Sequence, residues 1–292
     1  MDAVSPVTAD LLRSAWAALD GEPELLDLVE VTGSRPGLLS STLAALPAML
    51  AAVAASTLAA AVLDATRRGC APSPVLIDAE HVALAARSER FARAQGAGGS
   101  DLFAPLSRFW RTADGWLRLH ANYAWHRERA LQVLGCDGTV EAVDEAALGW
   151  RGEELESALA ANDALGFVVR GAREWSMHPQ GLAVGELPLL DSVPAGGQGR
   201  SVGPGRGATG RRVLDLTRVI AGPVATRTLA AWGAAVLRLD SPRLPEIPAR
   251  AVDTLPGKRS ALLDFREPSG RAQLEELMRW PTWSSRVTGQ GH

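Results

Sequence analysis

The 292 residues are 47% hydrophobic and 22% charged, an ordinary globular composition with enough chain for one large domain or two smaller ones. A net charge of −3 gives no electrostatic basis for binding nucleic acid or an anionic membrane. The two cysteines, Cys70 and Cys136, are too few for a zinc site or a disulfide framework and suit a reducing, cytoplasmic setting, so no metal is expected. No basic segment followed by an apolar run stands at the start, so no secretory leader is expected.

Taken in chain order, Leu11–Leu19 has the spacing of a short amphipathic helix. No charged residue falls between Gly37 and Leu63, a run long enough to cross a membrane. Its Ala, Ser and Thr content and Pro47 point instead to a buried helix over 41–68. Arg67, Arg68 and Gly69 supply its stop. Val75–Ile77 reads as a strand and His81–Arg93 as helix. Residues 95–101 read as a flexible loop.

Asp114 and Gly115 separate two half-apolar runs, 109–112 and 116–119, which predicts a hairpin. Helices follow at Trp125–Leu134 and Glu153–Ala161, a strand at Phe167–Val169, and a turn with a short helix over Glu174–Val184. Seven of the sixteen residues 195–210 are glycine, the clearest linker in the chain. Beyond it the pattern is strand (213–216), turn (221–223), helix (224–232) and strand (235–239). This is a β-α-β unit of a parallel sheet. Ser260–Leu263 is a third strand and Pro268–Arg279 a helix.

Several motifs are set aside. Gly205, Gly207 and Gly210 spell G-x-G-x-x-G, but they follow a linker and precede a strand, the reverse of a dinucleotide fingerprint. His120 and His126 are six apart, which is not a helix-face metal pair. Nucleophile-elbow, zincin and P-loop patterns are absent. The turn Leu255, Pro256, Gly257, Lys258 is more promising. It sets a glycine beside two cations, Lys258 and Arg259, just before a strand, where backbone N–H groups and charge meet a phosphate. Of the 30 basic residues, only Lys258 is lysine.

In order, residues 212–223 (RVLDLTRVIAGP), 229–242 (LAAWGAAVLRLDSP), 257–264 (GKRSALLD) and Gly270 with Arg271 resemble the start of the family III CoA-transferases. That family includes formyl-CoA and carnitine CoA-transferases and the related 2-methylacyl-CoA racemases. Residues 41–190 resemble the family's later part: the helix ending at Gly69, the hairpin around Asp114, and Glu174–Gln180. The resemblance implies an α/β fold, with a partial Rossmann-like parallel-sheet domain and a smaller α+β domain. It implies that 1–194 corresponds to the family's later part, 195–210 to a linker, and 211–292 to the start of the CoA-binding domain. The arrangement reads as truncated or permuted.

The resemblance further implies transfer of CoA between an acyl-CoA and a carboxylic acid, with no permanently bound cofactor, in a cytoplasmic homodimer. CoA would contact Ile220, Ala221, Leu255, Pro256, Gly257 and Lys258. The family's nucleophile is an aspartate that becomes acylated and then carries the CoA thioester, splitting one hard transfer into two easier ones. The matching place near Leu46 and Pro47 holds no acid. Asp215 and Asp264 read as structural residues, so the catalytic residue is not placed. A racemase-type relative, using acid–base groups on an acyl-CoA α-carbon, and a non-catalytic subunit are the alternatives.

Overall fold

The computed structural model describes residues 5–93, 103–190, 205–279 and 283–285. The chain forms two compact units, Met1–Ala97 with Pro188–His292, and Gly98–Leu187. The expected loop at 95–101 lies outside the described residues, as does the 195–204 part of the expected linker.

The first unit opens with α1 (Pro6–Ala18), a 3-10 turn (Pro23–Leu28) and β1 (Val29–Thr32). Next come α2 (Ala45–Arg68), β2 (Val75–Asp78), α3 (Ala79–Ala85) and α4 (Ser88–Phe91). Ser5 caps α1 through the Thr8 N–H, and Asp78 caps α3 through the His81 N–H. Gly69, at φ 65°, ends α2 in the left-handed conformation the sequence called for. The helix expected over His81–Arg93 is broken in two at Ala86 and Arg87. β1 and β2 pair in parallel. Leu50, Ala51, Ala54, Ala55 and Leu58 of α2 pack with Leu12, Trp16, Val75 and Ile77 to form the core here. α2 is long and apolar enough to cross a membrane by length and composition, and it serves here as a core helix.

The second unit is an antiparallel sheet with helices against it. It comprises β3 (Phe109–Arg111), β4 (Trp116–His120), α5 (Ala124–Leu134), α6 (Val140–Leu148) and α7 (Gly152–Ala161). β5 (Leu165–Val168), α8 (Ala172–Met177) and α9 (Pro179–Gly185) complete it. The strand order is β3-β4-β5. Asp114, in the hairpin turn, accepts the Gly152 N–H at 2.8 Å and so ties the hairpin to the start of α7. Leu117, Leu119, Val143, Leu155 and Leu159 are the centre of its core.

The chain then returns to the first unit with β6 (Arg212–Asp215), α10 (Ala221–Ala231), β7 (Ala235–Asp240) and α11 (Pro248–Thr254). β8 (Lys258–Leu262), α12 (Pro268–Met278) and β9 (Trp283–Ser285) follow. The strands order as β8-β7-β6-β9, all parallel, with Val213 level with Val236 and Val236 level with Lys258. The expected α/β class is borne out. α10 begins three residues earlier than expected: Ala221, Gly222 and Pro223 form its first turn rather than a separate turn. Pro223 is tolerated at the third position because the first N–H groups of a helix have no intrahelical acceptor. The 205–210 segment, far from opening a helix, is held to the end of α2. The Gly207 N–H donates to Asp64 Oδ1 at 2.8 Å, and Arg67 Nη1 donates to the Gly207 carbonyl at 2.6 Å.

Leu58 is fully buried where α2 meets both α1 and the β1–β2 pair. Leu58→Ala is expected to lower the unfolding free energy of this unit by ~2–5 kcal/mol, read from urea midpoints followed by circular dichroism.

Candidate functional site

β6 leads into the loop 216–220 and then α10. The loop is drawn tightly against the helix: a Cβ on Gly222 would stand 2.3 Å from Thr217 Cβ. Val219 has φ 72°, a left-handed conformation that a β-branched residue adopts only at a cost of ~1–3 kcal/mol. The following segment holds it there. Glu246 Oε2 accepts the Val219 N–H at 3.2 Å, and Arg218 donates to the carbonyls of Leu244 and Pro245 at 2.6 and 3.1 Å. Ile220, at the N-cap of α10, makes no side-chain cap and is 57% exposed. The first N–H groups of α10 therefore carry the partial positive charge of an uncapped helix start.

Beneath this loop lies a buried polar centre. Asp215, at the end of β6, is wholly buried, and four donors converge on its carboxylate. The Thr217 N–H and hydroxyl reach Oδ1 at 3.0 and 2.5 Å. The Thr226 hydroxyl and Lys258 Nζ reach Oδ2 at 2.6 and 2.9 Å. Lys258 Nζ also donates to the Pro223 carbonyl at 2.8 Å and to Thr226 Oγ1 at 2.7 Å. Both side chains of the ion pair are 0% exposed. Burial alone would raise the Asp215 carboxyl, but the hydrogen bonds from Thr217, Thr226 and Lys258 outweigh it and hold the group below the usual carboxylate range. Burial draws the Lys258 ammonium down against the opposing pull of Asp215, and Arg238 and Arg227 add to the downward push. Three acceptors surround Nζ.

A second charged cluster supports the first. Arg238 in β7 is 1% exposed and pairs with Asp240 at 2.8 Å and Glu246 at 3.5 Å. Arg227 of α10 holds Asp253 of α11 at 2.8 Å. Glu246 thus joins Arg238 to the strained Val219 backbone. This link is not legible in the sequence, because its members come from one strand and two separate loops.

The predicted site residues fall at two places. Ile220 and Ala221 lie exposed at the start of α10. Leu255, Pro256 and Gly257 form the turn between α11 and β8. Gly257 has φ 81°, and a Cβ there would stand 3.2 Å from Ala230 Cβ, near the other end of α10. About nine residues of helix, roughly 14 Å, separate the two groups. Lys258 spans the gap from within, its ammonium lying against the first turn of α10. Its neighbour Arg259 is exposed. With Gly257 it lines a cavity of about 920 Å3 that Arg212, Leu214, Leu237 and Gln273 also border. Among the described residues no group of three or more His, Cys, Asp or Glu is placed to hold a metal ion.

Comparison with known proteins falls on this same segment. Residues 209–281 match CoA-transferase family III, which bears out the resemblance seen in the sequence. The chain is similar to an acyl-CoA transferase of Gibberella moniliformis, 26% identical over 200 residues, covering 62% of this chain and 35% of that protein. It is similar to the acetyl-coenzyme A transferase nodX of Hypoxylon pulicicidum, 27% identical, covering 60% of this chain and 33% of that protein. A formyl-CoA:oxalate CoA-transferase of Bradyrhizobium diazoefficiens is 34% identical over 83 residues, covering 24% of this chain and 20% of that protein. The aligned part is thus about a third of the first two relatives' length and a fifth of the third's. Among solved structures, the hypothetical protein Rv3272 of Mycobacterium tuberculosis overlays with a TM-score of 0.43 at 16% identity, over 63% of this chain and 69% of that one.

Removing Lys258 leaves a buried carboxylate without its counter-charge. Lys258→Met is therefore expected to cost ~3–5 kcal/mol of stability, measured by urea unfolding at pH 7. The Asp215 pKa is lower folded than unfolded, so its contribution is complete above the unfolded value of ~3.9 and is lost as pH falls through the folded value. Asp215→Asn is expected to flatten the acid limb of the stability curve below about pH 4. An unchanged acid limb would show that this carboxylate is not the group being titrated.

Proposed function

We propose that this chain is a CoA-transferase, or the CoA-binding portion of one, acting on an acyl-CoA thioester and a carboxylic acid. The observation that carries the reading is the family III match over 209–281, which coincides with the β6–α10–β7–β8 segment. CoA and acyl-CoA enter as substrates, and no permanently held cofactor is invoked. The strained Val219 loop, the uncapped start of α10 and the Gly257 turn support a phosphate-bearing ligand here, because each offers backbone N–H groups or close approach. In this reading an extended ligand would contact Ile220 and Ala221 at one end and Leu255, Pro256 and Gly257 at the other, and Lys258 would hold α10 and β8 together. Arg259 is the exposed cation of the turn. A cytoplasmic homodimer remains the expected assembly, with neither nucleic acid nor membrane as partner.

The transfer chemistry calls for an accessible aspartate that takes the acyl group and then carries the CoA thioester. Every aspartate within 209–281 is already in an ion pair: Asp215 with Lys258, Asp240 with Arg238, Asp253 with Arg227 and Asp264 with Arg243. Arg243 and the Arg266 N–H also hold the Asp264 carboxyl below its usual range. These four carboxylates are spent on structure, which favours a nucleophile outside this segment. The same fact supports the second reading, a subunit that binds or completes a CoA site without performing the transfer.

Titration calorimetry with CoA and acetyl-CoA separates these readings from a chain with no CoA site. Binding is expected, and Arg259→Ala is expected to weaken it about tenfold, the ~1.4 kcal/mol of one charge-assisted contact. Binding without turnover of acyl-CoA and carboxylate would leave the subunit reading. A folded chain that binds neither thioester nor free CoA would overturn both.

A further inference from the structure

Two arginines among the described residues are buried, Arg238 and Arg250, and they are treated differently. Arg238 is neutralised by Asp240 and Glu246. Arg250, in α11, is 7% exposed, and its Nη1 is buried with no hydrogen-bond partner. Among the described residues no carboxylate lies within ion-pair distance of it. Asp253, one helical turn on, is oriented to Arg227 instead. Its backbone is bonded, with the N–H donating to the Ile247 carbonyl and the carbonyl accepting the Thr254 hydroxyl, both at 2.9 Å, but among the described residues its side chain makes no hydrogen bond.

A buried cation with no acceptor is costly, and proteins rarely keep one without a counter-ion. Helix α11 packs on α4 within the same unit. Immediately before α4 stands Arg87, half-buried, whose Nε is likewise buried without an acceptor. Arg87 Nη2 makes only a 3.5 Å contact to the Leu38 carbonyl. Two guanidinium groups with unused buried donors therefore belong to α11 and to the residue that leads into its neighbour α4. Guanidinium groups bind planar or tetrahedral oxyanions through paired N–H donors.

We propose that Arg250, with Arg87 as a second cation, forms a binding site for a small oxyanion group, a carboxylate or a phosphate. The site is separate from the contacts assigned to CoA above and stands whether or not the chain binds CoA. The anion supplies the acceptors that Asp240 and Glu246 supply to Arg238, and fixes α11 against α4.

The test compares unfolding midpoints of the full chain at one ionic strength in chloride, in inorganic phosphate and in acetate. Phosphate or acetate is expected to raise the midpoint of the unaltered chain and to move that of Arg250→Met less. In chloride, Arg250→Met is expected to be as stable as the parent or more so, since it deletes an uncompensated buried charge. Affinity measured by calorimetry is expected to fall about tenfold in Arg250→Met. A response to phosphate alone identifies a phosphate group as the ligand, and a response to acetate alone a carboxylate. Equal responses in parent and variant, or none in either, would overturn the proposal. If Arg250→Met does not fold, amide exchange of residues 248–254 in the parent decides. Slower exchange with phosphate or acetate supports the site, and unchanged exchange rejects it.

Discussion

The buried pair of Lys258 and Asp215 is the constraint around which the parallel sheet and its helix are arranged. Lys258 starts β8 and Asp215 ends β6, with β7 between them. A side chain that leaves β8, passes β7 and meets a carboxylate on β6 must be long and unbranched. It must also end in a group that accepts several directions of approach. Lysine meets both demands. Its ammonium takes Asp215, the Pro223 carbonyl and Thr226 at once, whereas a planar guanidinium presents its donors in a fixed fork. The one lysine of an otherwise arginine-based chain therefore stands where an arginine is the poorer fit. Because it touches β6, β8 and α10 together, the contact fixes the start of α10, and so the position of the strained loop above it.

That loop shows how the charges are used. Val219 is held in a conformation it would not choose, and the hold comes from Glu246, itself anchored by the buried Arg238. Arg238 is charge-balanced by two acids, so it can be buried in its charged form. The result is a turn whose backbone is pinned from below and which leaves Ile220 exposed. A preset geometry lowers the ordering cost of binding. This is the physical content behind reading the loop as a ligand contact.

Much of this arrangement was legible in the sequence, and the rest was hidden for definite reasons. The β6–α10–β7 unit follows from alternating and helical periodicities bracketed by glycine, and those patterns are local. The hairpin at Asp114 and the left-handed stop at Gly69 are equally local, and both stand as expected. α11 was not visible because seven residues starting at Pro248 carry too little periodicity. β9 is three residues long and owes its pairing to β6. The role of Lys258 was the hardest to see. A glycine beside two cations reads as a phosphate turn, and nothing near it in the sequence reveals that its acid partner lies 43 positions earlier. Sequence distance hid the pair, and only the parallel register of β6, β7 and β8 brings the partners together.

The comparison of the two buried arginines takes the same physics one step further. In this unit the protein meets the cost of a buried cation in two ways: with two acids at Arg238, and with none of its own at Arg250. Both side chains are buried, one in β7 and one in α11, so neither is an incidental surface charge. The Thr254 hydroxyl links the Arg238 side chain, with Nη1 at 3.4 Å, to the Arg250 backbone carbonyl. The contrast is one of charge balance: Arg238 has two acids, although its Nε, like Arg250 Nη1, is buried without a hydrogen-bond partner. Asp253 is one turn from Arg250 and is directed away, to Arg227. That asymmetry is the basis for the proposed anion site: a desolvated donor whose acceptor would come from outside.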